Sequence, residues 1–329
     1  MPLDDTLAQA PRHGRALPLR VGTRGSPLAL WQTRHFLSII TRVCPVLRAA
    51  EAFEERIIAT SGDRIQDRPL ADIGGKGLFA KEIHEALLDR RVDFAVHSLK
   101  DLETELPAGI SLACTLARED ARDAIVLGPG CGVPDPAYPY GCLPAGAVIG
   151  TASVRRQSQI LHARPDLRCE VIRGNIQTRL GRVRAGDFSA SFLALAGLKR
   201  MGLEREAGIV LDAEAMVPAA GQGIVGITCR SADAELLDLL SAIEDRTAAA
   251  VSRAERALLG ALDGSCRTPI GGHARLLPTG ALHLTGLVAR PDGSFLMKRS
   301  VTGAAADAVR LGAALGAELR ADSPADLFA

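Results

Sequence analysis

One cysteine, Cys266, stands where its thiol could do chemistry. It lies in a glycine- and proline-containing run, residues 264–272, directly after a long helical pattern. Arg267 beside it favours the thiolate, which is the reactive form, and a loop of small residues can present that thiolate to a ligand. An isolated cysteine in a turn is more often only a tolerated small residue, so the rest of the sequence must decide.

A cluster of arginines is the second chemical feature. Residues 151–184 contain eight arginines against Asp166 and Glu170, although the net charge of the chain is only +1. Two of its motifs, 150–156 and 173–179, each follow a predicted strand and open a predicted helix. There, backbone N–H groups, the helix dipole and guanidinium forks converge on an anion. Surface arginines explain one such motif equally well, but two at consecutive strand ends favour an anion site.

The first third of the chain adds further cationic side chains and one carboxylate. Arg24 and Ser26 form another strand-to-helix anion motif, with Ser26 as the predicted N-cap and Pro27 at the first helical position. Lys100 and Asp101 follow the predicted strand at 93–97. A carboxylate that stays ionised among cations suits stabilisation of a developing positive charge better than general base catalysis. A plain salt bridge for Asp101 fits the spacing equally well.

Composition restricts the class of protein. The 329 residues are 47% hydrophobic and 23% charged, without an apolar run long enough for a bilayer, so we expect no membrane insertion. The first 20 residues lack the apolar core of a secretory signal, which favours the cytoplasm. The seven cysteines are scattered, and His84 and His97 have no ligand partner at metal-binding spacing, so we expect reduced thiols and no metal. We expect a monomer.

The elements that must position these residues alternate between strand and helix. Strands are predicted at 17–21, 53–60, 93–97, 110–116, 123–127, 148–150, 169–172 and 192–194, with helices between them. This alternation predicts α/β lobes with mostly parallel sheets and a binding cleft between the lobes. The first helix is expected to carry Leu30, Leu37, Ile40 and Cys44 on one face.

The last third has a different pattern. A predicted helix at 245–262 precedes strands at 274–277, 282–289 and 295–301 and a helix at 304–319, which together predict a small α+β domain with a three-stranded antiparallel sheet. We therefore expect a flexible tail at 1–16 and three domains. They are domain 1 (17–116 plus 218–241), domain 2 (117–217) and domain 3 (242–329). The long loop from Ser61 to Gly77 is expected to act as a lid.

With these motifs in order, the chain resembles the porphobilinogen deaminase family, also called hydroxymethylbilane synthase. The resemblance extends from about residue 18 to 320. It rests on the motifs at 22–29, 74–79, 96–101, 150–156, 173–179, 196–200 and 218–223 and on the cysteine loop.

This resemblance implies two periplasmic-binding-protein-like (type II) α/β lobes with a cleft between them, plus the small third domain. It implies a transferase of tetrapyrrole and haem biosynthesis that joins four porphobilinogen molecules head to tail, with loss of ammonia, to give hydroxymethylbilane. The chain would grow on a dipyrromethane cofactor bound to Cys266 by a thioether. Because every pyrrole carries an acetate and a propionate, such a product is a growing polyanion that needs arginine forks.

The resemblance also implies roles for individual residues. Asp101 would contact pyrrole N–H groups and stabilise the azafulvenium cation formed when ammonia leaves, with Lys100 beside it. The cofactor would be bound by Cys266, Ser98, Lys100, Asp101, Thr151, Ser153, Arg155, Arg156 and Gly174. The substrate would be bound by Arg24, Ser26, Phe79, Arg173, Arg179 and Gln222. Asp63 and Lys76 would belong to the lid.

Four positions depart from the family pattern. Glu103 replaces a usual proline, Ser189 and Ser191 replace an acidic and an apolar residue, and Thr228 replaces a common glutamate, while the segment from Cys131 to Cys142 is longer than usual. Glu103 adds a negative charge near Asp101 that could weaken polyanion binding, so a paralogue of reduced activity is one alternative.

Two further alternatives belong to other classes. A small-anion solute-binding protein would share the two lobes, but it should carry a secretory signal and would not need Cys266 or a third domain. A nucleic-acid binder would explain the arginines, but aromatic residues are only 3% of the chain and the net charge is nearly neutral. We therefore expect porphobilinogen as the small-molecule partner and no nucleic-acid or membrane partner.

Overall fold

A computed structural model describes residues 16–64, 77–262 and 268–328. Its strands are β1 (Leu19–Thr23), β2 (Phe53–Ile57), β3 (Phe94–Ser98), β4 (Ile110–Thr115), β5 (Asp123–Leu127), β6 (Val148–Gly150), β7 (Arg168–Glu170), β8 (Ala190–Ala194), β9 (Ile209–Val210), β10 (Val225–Arg230), β11 (Ile270–Leu276), β12 (Ala281–Ala289) and β13 (Leu296–Ala304). Its helices are α1 (Pro27–Val43), α2 (Pro45–Ala49), α3 (Ser61–Arg64), α4 (Lys81–Leu88), α5 (Val154–Ala163), α6 (Ile176–Arg184), α7 (Leu195–Arg200), α8 (Ala234–Ser241), α9 (Arg246–Ala261) and α10 (Ala308–Asp322).

Two five-stranded sheets form the predicted lobes. The first has the order β2-β1-β3-β10-β4 and the second the order β7-β6-β8-β5-β9. In each sheet one strand, β10 or β5, runs antiparallel to both of its neighbours, and the pairs β1–β2, β1–β3, β6–β7 and β6–β8 are parallel. The prediction of two α/β lobes with mostly parallel sheets is confirmed.

The chain crosses between the two lobes twice. The chain leaves the first sheet after β4 and enters the second through β5, and it returns after β9 through β10. Strand β9 therefore belongs to the second sheet and β10 to the first. Two crossing segments, 116–122 and 211–224, connect the lobes.

The alternation of side chains along β5 shows how the second sheet is covered. Ile125 packs with Ile160 of α5 in the hydrophobic cluster on one face. Ala124 and Val126 point to the opposite face and pack with Leu180 of α6. Because successive residues of a strand face opposite sides, the sheet is buried on both faces between helices.

The third domain is the predicted antiparallel meander, with the strand order β11-β12-β13. Helices α9 and α10 pack against each other and against the sheet through Leu258, Leu284 and Leu315. Gly312 and Gly316 allow this close approach, since a Cβ atom at Gly312 would lie 2.1 Å from a backbone oxygen of α9. The predicted α+β domain is confirmed.

A buried ion pair ties this domain to both crossing segments. The Glu255 carboxylate on α9 is fully buried and accepts hydrogen bonds from Arg118 Nη1 at 2.6 Å and from the backbone N–H groups of Gly221 and Ala274 at 2.7 Å each. Arg118 belongs to the first crossing segment and Gly221 to the second. One carboxylate thus links both connections between the lobes to the third domain.

Two sequence-based expectations need correction. Of Leu30, Leu37, Ile40 and Cys44, which were expected on one buried face, only Ile40 is fully buried. The buried face of α1 is formed instead by Ala29, Gln32, Thr33, Phe36 and Ile40. Strand β11 starts at Ile270 and not at 274. No helix in the described ranges has the length and apolar character needed to cross a membrane.

Candidate functional site

A cleft of about 650 Å³ lies between the two lobes. It is lined from both sides by the ends of strands and the starts of helices, as expected at the switch points of α/β sheets. Its charged lining residues in the described part of the chain are Arg24, Asp63, Lys100, Asp101, Arg155, Arg156, Arg173 and Arg179. Cations outnumber carboxylates there, so the cleft suits an anionic ligand.

Side chains cap the helix starts around the cleft, and among these caps only Ser26 was predicted from the sequence. The Ser26 hydroxyl accepts a hydrogen bond from Ala29 N at the start of α1, and the Ser153 hydroxyl accepts one from Arg156 N at the start of α5. Asn175, which was not predicted, caps α6 in the same way. These caps fix the positions at which α5 and α6 direct their arginines towards the cleft.

Arg155 and Arg156 form a buried wall on the second lobe. Arg155 donates to Val217 O at 2.6 Å and to Asp123 Oδ2 at 2.8 Å. Arg156 donates to Phe192 O at 2.9 Å and to Asp123 Oδ1 at 2.7 Å. The buried Nε of Arg156 has no hydrogen-bond partner in the described part of the chain, which leaves one donor for a ligand.

Arg173 and Arg179 extend this wall. Arg173 donates to Gly62 O of the first lobe at 3.0 Å, so it bridges the cleft. Arg179 donates to Gly174 O at 2.9 Å, and burial, together with Arg156 and Arg173, lowers its pKa to about 10. A buried cation surrounded by like charges binds an anion more favourably than an exposed one does, because that anion relieves the repulsion.

On the first lobe, Arg24 is held by two carboxylates. Its Nε and Nη2 donate to Asp63 at 3.0 and 2.5 Å, and its Nη1 lies 3.3 Å from Asp101 Oδ2. Phe79 stacks under the guanidinium, with the Arg24 Cζ 4.1 Å from the ring centroid. Burial alone would raise the pKa of Asp63, but its hydrogen bond to Arg24 holds that pKa below the ordinary value.

Lys100 and Gln222 meet where the lobes join. Lys100 Nζ donates to Gln222 Oε1 at 3.3 Å, and Gln222 Nε2 donates to Asp123 Oδ1 at 2.8 Å. The Lys100 side chain is exposed to the cleft, and desolvation by the cleft walls, followed by the charge of Arg156, lowers its pKa to about 8. Ser98 hydrogen-bonds Gln32 at 3.0 Å beside them.

Most of the predicted site residues therefore line one cleft. Thr151 is the exception among the described ones, since it is buried behind the lining and its hydroxyl accepts a hydrogen bond from Ser153 N at 3.1 Å. Cys266, Lys76, most of the predicted lid and residues 1–15 of the predicted tail lie outside the described residues. The sequence reasoning missed Gln32, Asn175 and above all Asp123.

The departures from the family pattern lie away from the lining. The Glu103 carboxylate is buried 3.8 Å from His84 Nδ1, and Thr228 hydrogen-bonds His97 at 2.9 Å. Ser191 donates to Gly150 O at 2.7 Å. The expected charge of Glu103 near Asp101 is thus directed towards His84 and not into the cleft.

Comparisons with known proteins agree with this geometry. The family model for the porphobilinogen deaminase dipyrromethane cofactor binding domain matches residues 19–238, and the model for the C-terminal domain matches residues 249–321. A porphobilinogen deaminase of Sorangium cellulosum is 49% identical over 92% of this chain and 98% of its own length. Those of Paracoccus denitrificans and rice chloroplasts are 45% and 46% identical, over 94% and 90% of this chain and 96% and 80% of their own lengths.

Among solved structures, an arginine-specific periplasmic binding protein of Salmonella typhimurium aligns with 71% of this chain and 94% of its own length. Its TM-score is 0.38 at 14% sequence identity.

Proposed function

This chain belongs to the porphobilinogen deaminase family, as its motifs predict, and we propose that the cleft between its lobes is where four porphobilinogen molecules are joined. The family carries a dipyrromethane cofactor and acts as a hydroxymethylbilane synthase in tetrapyrrole biosynthesis. The observation that carries the assignment of the site is the wall of buried arginines facing Asp101 across the cleft.

The described residues fit a cofactor with several carboxylates. Arg156 has a buried donor without a partner in the described residues, and Arg155 and Lys100 line the same surface. We assign the cofactor to these three residues with Ser98, Asp101, Ser153 and Gly174, with Thr151 supporting Ser153 from behind, and its attachment to Cys266. When bound, the group supplies the nucleophilic pyrrole carbon on which a chain can be extended.

The chain's own residues have separate tasks. Arg24, Ser26, Arg173 and Arg179 bind the acetate and propionate groups of porphobilinogen, and Gln222 orients Lys100. Phe79 supports the Arg24 guanidinium from below. Guanidinium forks suit this task because they bind carboxylates with two parallel hydrogen bonds.

Asp101 has the central electrostatic role. It lies in the turn directly after β3, with its side chain 27% exposed to the cleft and Arg24 as its partner at 3.3 Å. A substrate that loses ammonia develops positive charge on its pyrrole, and a preorganised carboxylate stabilises that charge. We assign to Lys100 the transfer of a proton to the leaving amine, because Lys100 lines the cleft beside Asp101 and its pKa of about 8 lies near neutral pH.

Finer features of the enzyme belong to the same proposal. The division into domains at 17–116 plus 218–241, 117–217 and 242–329 is supported by the membership of the strands in the three sheets. Asp63 and Lys76 are assigned to a lid. A reduced Cys266 thiol is needed to form the thioether, which favours the cytoplasm over an oxidising compartment. We also propose that the enzyme is a monomer.

The proposal is tested by the intact mass of the purified protein and by an acidic pyrrole reagent. We expect a mass above that of the polypeptide and a colour reaction, both absent in Cys266→Ser and both retained in the control Cys44→Ser, since Cys44 lies at the end of α1. An unmodified wild-type mass without colour would contradict the proposal.

A second variant tests the role of Asp101. Asp101→Asn should fold, keep the cofactor and lose most of its porphobilinogen consumption, roughly 100-fold or more, because the charge that stabilises the cation is gone. Wild-type rates in this variant would contradict the proposed role. A wild-type protein that carries the cofactor but turns over very slowly would instead identify a paralogue of reduced activity.

A further inference from the structure

A buried carboxylate outside the predicted site lies directly behind its cationic wall. Asp123, the first residue of β5, has no exposed surface. Its Oδ2 accepts a hydrogen bond from Arg155 at 2.8 Å, and its Oδ1 accepts one from Arg156 at 2.7 Å and one from Gln222 Nε2 at 2.8 Å. Gln222 in turn accepts from Lys100. Three cationic groups of the cleft are therefore organised around one carboxylate.

Without a negative counter-charge, the two guanidinium groups would not lie side by side in this buried position. Arg155 and Arg156 are adjacent and buried, and like charges at close range in a poorly solvated site repel each other strongly. Each arginine is fixed at one side by a backbone carbonyl, Val217 O or Phe192 O, and at the other side by Asp123. This leaves Arg156 Nε as the donor without a partner in the described residues.

We propose that Asp123 is a positioning residue of this enzyme: its carboxylate orients Arg155 and Arg156 and, through Gln222, the ammonium group of Lys100. The inference rests on the proposed function of the cleft and deepens it. Asp123 does not line the cleft in the structure and so acts only through these residues. The strand that carries it enters the second lobe from the first, so it places the carboxylate at the junction of the lobes.

The charges around Lys100 define what removal of Asp123 should do. Desolvation by the cleft walls lowers the pKa of Lys100, as do Arg156 and Arg155, whereas Asp101 and Asp123 raise it. With asparagine at position 123 one of the two opposing carboxylates is lost, so Lys100 deprotonates at lower pH. If turnover requires protonated Lys100, the alkaline limb of the pH–rate profile then moves to lower pH.

The first test compares Asp123→Asn with Asp93→Asn. Asp93 is also a buried carboxylate between two arginines, Arg20 and Arg230, but it lies directly before β3, at the opposite end of that strand from Ser98 and away from the cleft. Both variants should lose thermal stability. Only Asp123→Asn should lose porphobilinogen turnover per cofactor-loaded molecule, by roughly 10- to 100-fold, as metal sites do when the outer partner of a metal ligand is removed. The alkaline limb of the pH–rate profile of Asp123→Asn should also move to lower pH.

A second readout does not depend on turnover. The pH dependence of reductive methylation of Lys100, followed by peptide mass spectrometry, should move to lower pH in Asp123→Asn and stay unchanged in Asp93→Asn. An unchanged methylation profile together with an unshifted alkaline limb would overturn the inference. The wild-type cofactor and turnover assays test the function of the cleft separately, so failure of the inference leaves that function standing.

Should Asp123→Asn fail to fold, Gln222→Met provides the decisive variant. It severs the connection between Asp123 and Lys100 but leaves both arginine ion pairs in place. The methylation profile of Lys100 should then move in the same direction. No movement would overturn the connection through Gln222.

Discussion

Replacing Arg118 by methionine should destabilise the whole protein, because it leaves the Glu255 carboxylate buried without its counter-charge. Glu255 has no exposed surface and would keep only the backbone N–H groups of Gly221 and Ala274 as donors. Arg118 itself makes three kinds of contact, to Glu255, to Gln222 O and to Ala274 O. Breaking a buried ion pair by removing one partner costs about 3–5 kcal/mol.

This cost can be converted to a melting temperature. At about 2.1 cal/mol/K per residue, a 329-residue chain that unfolds as one unit has an unfolding entropy of about 0.7 kcal/mol/K. The expected fall in Tm is therefore about 4–7 °C, measured by calorimetry. Replacing both partners, Arg118→Met with Glu255→Met, should recover part of the loss, since no buried charge remains.

An exposed ion pair of the third domain provides the control. Arg310 lies 2.8 Å from Asp307 with side-chain exposures of 70% and 44%, and water screens such an exposed pair. Arg310→Met should therefore leave Tm almost unchanged. If Arg118→Met and Arg310→Met gave equal shifts, the reasoning about the buried pair would be refuted.

Two further predictions concern the walls of the cleft. Asp63→Asn should lower the KM for porphobilinogen by about two- to fivefold, because Asp63 competes with the substrate carboxylates for Arg24 in a partly exposed ion pair. Steady-state kinetics measure this KM, and a raised value would show that Asp63 instead helps Arg24 to bind the substrate. Gly174→Ala should lower Tm by about 2–4 °C and raise KM, because Gly174 has φ +109° and a Cβ atom would lie 2.8 Å from Thr178. Gly181→Ala, in open space within α6, should instead be neutral or slightly stabilising.

The order of elements and the place of the site were predictable because both depend on local patterns. Strand β5 begins and ends where the sequence predicts, and Ser26 caps α1 as expected. Such caps and strand ends are encoded within a few residues.

The features that could not be predicted depend on contacts between residues far apart in the sequence. Thr33 is buried on α1 because its hydroxyl bonds Thr23 on the neighbouring strand at 2.8 Å. Strand β11 includes Gly271, where a Cβ atom would lie 2.9 Å from Val217, so a segment that resembles a loop is a strand packed closely against the second crossing segment. Asp123 was missed because a carboxylate at the start of an apolar strand is explained only by arginines more than 30 residues later.

The route of the chain between the lobes has a consequence for the order of folding. All five strands of the second sheet lie between residues 123 and 210, whereas the first sheet lacks β10, the strand between β3 and β4, until residue 230 has been made. During synthesis the second lobe can thus complete its sheet while the first still has two unpaired strand edges. Because such edges pair readily with other chains, a nascent chain that pauses before residue 225 should be the most aggregation-prone species of this protein.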